Sequence, residues 1–187
     1  MASQAVARNY DPAHVARYHS VARSLHWIMA ALILGNAAGG LLADAAPRLI
    51  MPIHKSIGIT VLALAALRLA WRLLYPPPPY PPEVGRMERN LANIVHTILY
   101  ALMFLVPITG WMLASSGRAP LSWFGLFDIP KFAISREDPL AGFAGEAHEV
   151  LGITTLALAL AHAAAALYHH FVRKDPTLLR MTSRGVR

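Results

Sequence analysis

Four long runs of apolar residues divide the chain, and polar or proline-rich stretches separate them. The runs cover about residues 25–42, 53–74, 91–114 and 147–171, and all are rich in Ala and Leu. A helix needs about 20 apolar residues to cross the hydrocarbon core of a bilayer. The pattern therefore predicts an all-α integral membrane protein: one domain over residues 1–187 that forms a transmembrane four-helix bundle.

The stretches that bound the runs carry their own signals. The second run opens after Pro52, and proline is favoured in the first turn of a helix. Residues 75–82, YPPPPYPP, predict a stiff proline-rich linker. Pro107 and Gly110 predict a kink in the third helix. Residues 115–145 form the longest connection, and their aromatic segment LSWFGLFDIPKFAI is typical of the membrane interface.

The composition supports a membrane protein over a soluble one. The chain is 56% hydrophobic and 14% charged, whereas soluble domains average about 25% charged residues. The net charge of +7 comes from basic residues beside the apolar runs, so we predict a lipid bilayer and no nucleic acid as partner. The absence of cysteine excludes disulfides, thiolate metal sites and covalent c-type haem attachment.

The basic residues are distributed unequally between the two sides of the membrane. One side carries Arg8, Arg17, Arg23, Arg72, Arg86, Arg89, Arg173, Lys174, Arg180, Arg184 and Arg187. The other side carries only Arg48, Arg118, Lys131 and Arg136. Because basic residues accumulate on the cytoplasmic side, both termini and the linker 75–82 are predicted to be cytoplasmic. The loop 115–145 is then predicted to face the opposite, outer side of the membrane.

Histidines within the apolar runs are the main candidates for metal ligands. His148 and His162 are 14 residues apart, nearly four helical turns, so they share a face of the fourth helix. Their separation along the axis is roughly 21 Å. His26 lies at the depth of His162, and His54 lies at the depth of His148. Two imidazoles at each level predict two haems with both axial positions filled by His26/His162 and His54/His148.

The residues four positions after these histidines are all small, which would leave room for a porphyrin beside each helix. They are Ala30, Gly58, Gly152 and Ala166. His96 is followed at the same offset by Tyr100, which argues against its being a ligand.

Two alternatives remain open. Small residues are common in membrane helices, and a lone membrane histidine usually serves as a hydrogen-bond donor between helices. Zinc would need three or four ligands at one point, whereas these histidines form two layers.

Six segments resemble the bacterial cytochrome b561 family, and together they cover about residues 17–181. They are LHWIMA, HKSIGI, LRLAWRLLYPPPP, VHTILYALMFLVPITGWMLAS, AHEVLG and LAHAAAALYHHFVRKDPTLLRM. The resemblance implies a four-helix inner-membrane protein with two non-covalent haem b groups on His26, His54, His148 and His162. It also implies a bacterial inner membrane, with loop 115–145 in the periplasm, and quinone as the partner on the cytoplasmic side. Family members include a superoxide oxidase that passes electrons to ubiquinone.

Further residues are candidates for this chemistry. His169 continues the stripe of His162, and with His96, Arg86 and Arg89 it is the predicted quinone site. The alternative is that His169 is an interfacial residue that reaches water.

Two other cationic sites follow from position. Arg68 is a candidate partner for haem propionates, or it extends toward the cytoplasm with Arg72. On the outer side, Lys55 is the predicted catalytic cation that attracts an anionic reductant. The loop cations Arg118, Lys131 and Arg136 would assist it, although nearby acidic residues offset them.

Three functions are consistent with these features. The first is an enzyme, a superoxide:ubiquinone oxidoreductase. The second is an electron-transfer subunit that anchors a periplasmic dehydrogenase or hydrogenase and connects it to the quinone pool. The third is a non-redox membrane scaffold with structural histidines. The short tails favour the first over the second, because they provide no domain for docking.

Overall fold

The computed structural model describes residues 16–182, and four long helices account for most of them. Helix α1 spans Ser20–Leu41, α2 spans Pro47–Leu74, α3 spans Arg86–Ser116 and α4 spans Pro139–Tyr168. All four are long and apolar enough to cross a membrane. The predicted all-α four-helix membrane architecture is therefore confirmed.

The charge count behind the predicted orientation includes Arg8, Arg184 and Arg187, which lie outside the described residues. The cytoplasmic placement of the termini stays a prediction. The inner end of the bundle is used below for the end that holds Ala16 and Arg180, and the outer end for the end that holds the connection between α3 and α4.

The start of the second helix differs from the prediction. We expected it to open after Pro52, but α2 begins at Pro47, which occupies its first turn. Proline is tolerated there because the first N–H groups of a helix have no partner within the helix. Pro52 lies inside α2, and its carbonyl accepts a hydrogen bond from the Ser56 hydroxyl at 2.8 Å. The outer connection is also shorter than predicted, because α3 and α4 leave only residues 117–138 between them.

The bundle is packed mainly between helices that are neighbours in sequence. Helix α3 lies along α4, α1 along α2, and α2 along α3, while α1 and α4 meet at few positions. Met29, Val61 and Ala65 form the buried centre of the first three helices. Most other large apolar side chains point outward, as expected for helices surrounded by lipid.

A small hairpin from the outer connection is fixed to α2 close to His54. Strands β1 (Ser122–Trp123) and β2 (Phe127–Asp128) pair antiparallel. The Trp123 indole N–H donates to the Thr60 hydroxyl at 3.0 Å. The Ser56 hydroxyl accepts from the backbone N–H of Phe124 at 2.9 Å. The hairpin therefore covers the outer end of α2.

The inner end of the bundle is tied together by Arg180. Its side chain is 4% exposed. The guanidinium donates to the carbonyl of Ala16 at 3.1 Å and to those of Pro78 and Pro79 at 2.6 and 2.8 Å. One side chain thus joins the segment before α1, the linker between α2 and α3, and the segment after α4.

Candidate functional site

Each predicted histidine pair lies close together between facing helices. The ring centroids of His54 on α2 and His148 on α4 are 5.9 Å apart, with the rings at 89°. The centroids of His26 on α1 and His162 on α4 are 6.3 Å apart, with the rings at 86°. Since His148 and His162 lie about 21 Å apart along α4, the two pairs form an outer and an inner layer.

Backbone carbonyls determine which ring nitrogen carries the proton in both histidines of the outer pair. His148 Nδ1 lies 2.9 Å from the carbonyl oxygen of Val106 on α3, and His54 Nδ1 lies 3.0 Å from that of Asn36 on α1. A carbonyl only accepts, so Nδ1 carries the proton in both rings. The neutral imidazole then presents the Nε2 lone pair, which is the arrangement found in most metal-binding histidines.

Two glycines allow these imidazoles to reach the carbonyls. Gly110 lies one turn after Val106, and a Cβ there would be 2.7 Å from His148 Cε1. Gly40 lies one turn after Asn36, and a Cβ there would be 3.1 Å from His54 Cε1. Helix α3 continues without a break past Gly110. The role of this glycine in the structure is to admit the ring of His148.

The spacing of both pairs fits a shared axial ligation. Two metal–nitrogen bonds of about 2.0–2.1 Å each separate the ligating nitrogens by about 4 Å, so the ring centroids should be about 6 Å apart. The observed 5.9 and 6.3 Å match this value. A Cβ at Gly152 would meet no atom within 4 Å, and one at Gly58 would meet only the Asn36 amide at 4.0 Å. The side chains present therefore fit a planar cofactor held between them.

The inner layer contains a third histidine. The ring of His96 on α3 lies 5.1 Å from that of His162. We predicted His96 as part of a quinone site rather than of a histidine layer, because we expected Tyr100 to exclude it. Across residues 16–182, however, no group of three or more His, Asp or Glu side chains is arranged to hold a metal ion.

Arg68 gives the inner layer different polar contacts from the outer one. Its Nη1 donates to the Ala22 carbonyl at 3.0 Å, and its Nη2 lies 3.4 Å from His26 Nδ1. A guanidinium only donates, so Nδ1 of His26 accepts in this arrangement. If His26 Nε2 binds a metal, the neutral ring carries its proton on Nδ1, and Nδ1 then cannot accept from Arg68. Arg68 must give up this contact, and its N–H groups need another acceptor.

A pocket beside Arg68 offers space for such an acceptor. This small open pocket lies between the inner ends of α1, α2 and α3. Arg68 and Arg72 reach it, each over the Tyr100 ring at 5.8 and 5.3 Å. Trp71 also lines the pocket, and its indole N–H is buried with no partner in the described chain. Two guanidiniums suit an anionic oxygen ligand.

At the inner end of α4, the predicted quinone residue His169 has an acidic partner. His169 Nδ1 lies 2.5 Å from Asp175 Oδ2, and the backbone N–H of Thr177 donates to Asp175 Oδ1 at 3.0 Å. Burial works against ionisation, but the hydrogen bonds from His169 and Thr177 outweigh it and hold the pKa of the Asp175 carboxyl below its usual range. Sequence analysis missed Asp175, whose only signal is its position six residues after His169.

The arginines predicted to assist His169 are engaged elsewhere or exposed. Arg89 donates to the carbonyls of Val84 at 2.7 Å and Pro81 at 3.3 Å, so it fixes the loop before α3. Arg86 is exposed at the start of α3. Within residues 16–182, neither forms a hydrogen bond or ion pair with His169.

The outer cations are placed unequally. Lys55 is partly buried on α2, next to His54. Lys131 donates to the carbonyls of Gly117 and Ala119, so its ammonium belongs to the fold of the loop. Arg118 and Arg136 are exposed. Of the predicted cations, Lys55 has the most direct relation to the outer layer.

Comparison with known proteins agrees with this arrangement. The chain is 34% identical over 179 residues to Cytochrome b561 homolog 2 of Escherichia coli (strain K12), an alignment that covers 90% of this chain and 93% of the relative. It is 33% identical over 169 residues to Probable superoxide oxidase CybB of Yersinia pestis, covering 88% of this chain and 95% of the relative. It is 28% identical over 169 residues to Cytochrome b562 of Cereibacter sphaeroides (84% and 90% covered).

The family model described as prokaryotic cytochrome b561 matches residues 17–184, nearly the whole chain. The histidine layers, the four spanning helices and this match agree. The chain therefore belongs to the prokaryotic cytochrome b561 family of haem-binding membrane proteins that transfer electrons.

Proposed function

We propose that this protein is a superoxide:ubiquinone oxidoreductase with two haem b groups in the bacterial inner membrane. Two superoxide ions would each give up one electron on the periplasmic side and leave as O₂. One ubiquinone on the cytoplasmic side would take the two electrons and two protons to become quinol. The observation that carries this proposal is the pairing of His54 with His148 and of His26 with His162 at two depths.

The four histidines would hold the two haems. His54 and His148 would hold the outer haem through their Nε2 atoms, because Nδ1 is occupied in both. His26 and His162 would hold the inner one. A haem with two imidazole ligands cycles between ferric and ferrous iron and so carries single electrons.

Arg68 is proposed to bind the carboxylates of the inner haem. Together with Arg72 and Trp71, it lines the pocket already described. A carboxylate there would accept the N–H groups of Arg68 and release His26 Nδ1 from its contact at 3.4 Å. The guanidiniums would thereby orient the cofactor and stabilise its negative charge.

The two ends of the bundle are proposed to serve different substrates. Lys55 lies beside the outer ligand His54 and would attract the superoxide anion, with help from the exposed Arg118 and Arg136. His169 would hydrogen-bond ubiquinone and give it a proton, since histidine exchanges protons near neutral pH. The name of the Yersinia pestis relative, Probable superoxide oxidase CybB, supports this choice of substrate.

The test uses the full chain, purified and placed in lipid nanodiscs. A pyridine haemochrome assay should give two haems per chain, and replacing His148 or His54 by Ala should remove one. Superoxide from xanthine oxidase should then drive reduction of a short-chain ubiquinone analogue. His170→Ala, next to His169 but outside the proposed sites, serves as the control and should behave like the wild type.

Other outcomes would contradict the proposal in distinct ways. Haem that is reduced only by a co-purifying periplasmic protein would indicate an electron-transfer subunit. Two haems that superoxide reduces, without transfer to quinone, would remove the proposed acceptor. A chain without haem absorption would leave a scaffold with structural histidines.

A further inference from the structure

The chain after α4 turns back on itself and places a carboxylate against His169. Helix α4 continues as a π-helical turn over His169–Arg173, and Lys174 then adopts a left-handed conformation with φ 55°. This reversal brings the backbone N–H of Asp175 within 3.2 Å of the His169 carbonyl oxygen. π-Helical turns occur often at functional sites, where they reposition a side chain.

The Asp175 carboxylate is built into this turn. Its side chain is 4% exposed, one oxygen accepts from the backbone N–H of Thr177, and the other lies 2.5 Å from His169 Nδ1. A carboxylate that only accepts requires a proton on Nδ1 of the imidazole. Proton exchange with any substrate is then restricted to Nε2.

We propose that Asp175 is a positioning residue for quinone reduction, because it fixes the ring of His169 and holds the proton on Nδ1, so that Nε2 of the doubly protonated ring is the atom that gives a proton to the quinone oxygen. This inference rests on the proposed quinone site at His169. As the quinone takes an electron pair in two single steps, the Nε2–H bond of the His169 imidazolium breaks and an O–H bond forms, which leaves the neutral ring with its proton on Nδ1. Water on the cytoplasmic side returns the proton to Nε2. The second proton of the quinol comes from the same solvent.

The contact between Asp175 and the His169 imidazole is not needed to form the turn. The carbonyl–amide contact between His169 and Asp175 already closes the backbone reversal. The Thr177 N–H contact already caps the Asp175 side chain. Neither needs the imidazole. The contact with His169 Nδ1 is additional, and the feature that it controls is the choice of nitrogen that exchanges protons.

The experiment is a double-mutant cycle with Asp175→Asn, His169→Ala and both together, in full-length protein in nanodiscs. The haems are reduced anaerobically with dithionite, the excess is removed, and the rate of their oxidation by a short-chain ubiquinone is followed by stopped flow. Asp175→Asn should lower the limiting rate about 10–100-fold with a smaller change in the quinone concentration at half-maximal rate. It should have no further effect in the His169→Ala background, and Asp175→Glu should restore part of the rate.

Asp138→Asn is the matched control. Asp138 accepts the backbone N–H of Leu140 at 2.9 Å at the opposite end of the same helix, so its replacement also removes a helix-end carboxylate. It should leave the rate unchanged. Haem content and absorption spectrum should be unchanged in all variants.

The outcomes separate this inference from the proposed function. If His169→Ala oxidises as fast as the wild type, the proposed quinone site fails. If His169→Ala is slow but Asp175→Asn is as fast as the wild type, the positioning role alone is refuted. Equal slowing by Asp175→Asn in both backgrounds also refutes it. If Asp175→Asn is recovered without haem, the cycle is run with Asp175→Glu, and loss of haem from both variants would assign Asp175 a structural role and overturn the inference.

Discussion

Replacing Gly110 by Ala is expected to remove the proposed outer haem while leaving the fold intact. A Cβ at this position would lie 2.7 Å from His148 Cε1 and 2.9 Å from its Nδ1. Ordinary contacts between carbon atoms are about 3.5–4.0 Å. The imidazole must therefore move by about 1 Å, because the added atom is fixed to the helix and cannot rotate away.

A displacement of this size matters more for ligation than for stability. Metal sites tolerate deviations of only about 0.2 Å in ligand distance. The shift also breaks the hydrogen bond from His148 Nδ1 to the Val106 carbonyl, at a cost of about 0.5–1.5 kcal/mol. The helix itself should gain roughly 0.5–1 kcal/mol when Gly becomes Ala. Loss of haem therefore cannot be attributed to a weaker α3.

The measurement is the haem count per chain, with the optical spectrum as a second readout. Gly110→Ala should fall from two haems to one. Gly40→Ala should show a smaller loss, since its Cβ would lie 3.1 Å from His54 Cε1. Gly142→Ala on α4, where a Cβ meets nothing within 4 Å, should keep both. A Gly110→Ala protein with two haems and an unchanged spectrum would refute the proposed geometry of the outer layer.

Four further changes have expected outcomes. Gly152→Ala adds a Cβ that meets no protein atom within 4 Å, so a fall in haem content without loss of helicity would show that a cofactor occupies the space beside His148. Arg68→Ala should lower the reduction potential of the proposed inner haem, because a cation near the iron favours the ferrous state by on the order of 1–2 kcal/mol. A redox titration measures this potential, and an unchanged value would contradict the prediction. Arg180→Ala leaves three carbonyls without their donor and should destabilise the inner end by roughly 3 kcal/mol, seen as a lower melting temperature that Arg180→Lys restores only in part. The lowered pKa of Asp175 stabilises the fold at pH values above the unfolded-state pKa of about 3.9. This contribution is lost as pH falls through the folded-state pKa, so Asp175→Asn should make the free energy of unfolding less sensitive to acid. An unchanged pH dependence of stability would argue against this role of the carboxylate.

The helices and the two histidine depths could be predicted from sequence because both follow from short-range regularities. The lengths of the apolar runs give the number of membrane-spanning helices. Helical rise gives the depth of His148 and His162, and alternating direction then gives the depth of His26 and His54. The ends of the helices were less predictable. Proline is compatible with several positions near a helix start, so Pro52 gave the wrong beginning for α2.

The contacts that assign protons could not be predicted in the same way. Whether the space at Gly110 admits an imidazole depends on which helix faces it, and this is a property of packing. Whether Asp175 faces water or His169 depends on a left-handed residue at Lys174. Lysine has no preference for that conformation, so the sequence carries no local signal for the reversal.

The difference between the two layers has a consequence for the direction of electron flow. In the outer layer, carbonyls accept from Nδ1 of both histidines, which makes the ligands more electron-donating and favours the ferric state. In the inner layer, Arg68 lies beside His26, and its positive charge favours the ferrous state. Both effects would make the proposed inner haem the better electron acceptor. An electron that enters at the outer layer would therefore move inward, toward the end of α4 where His169 and Asp175 lie. A redox titration that assigned the higher reduction potential to the outer haem would contradict this direction.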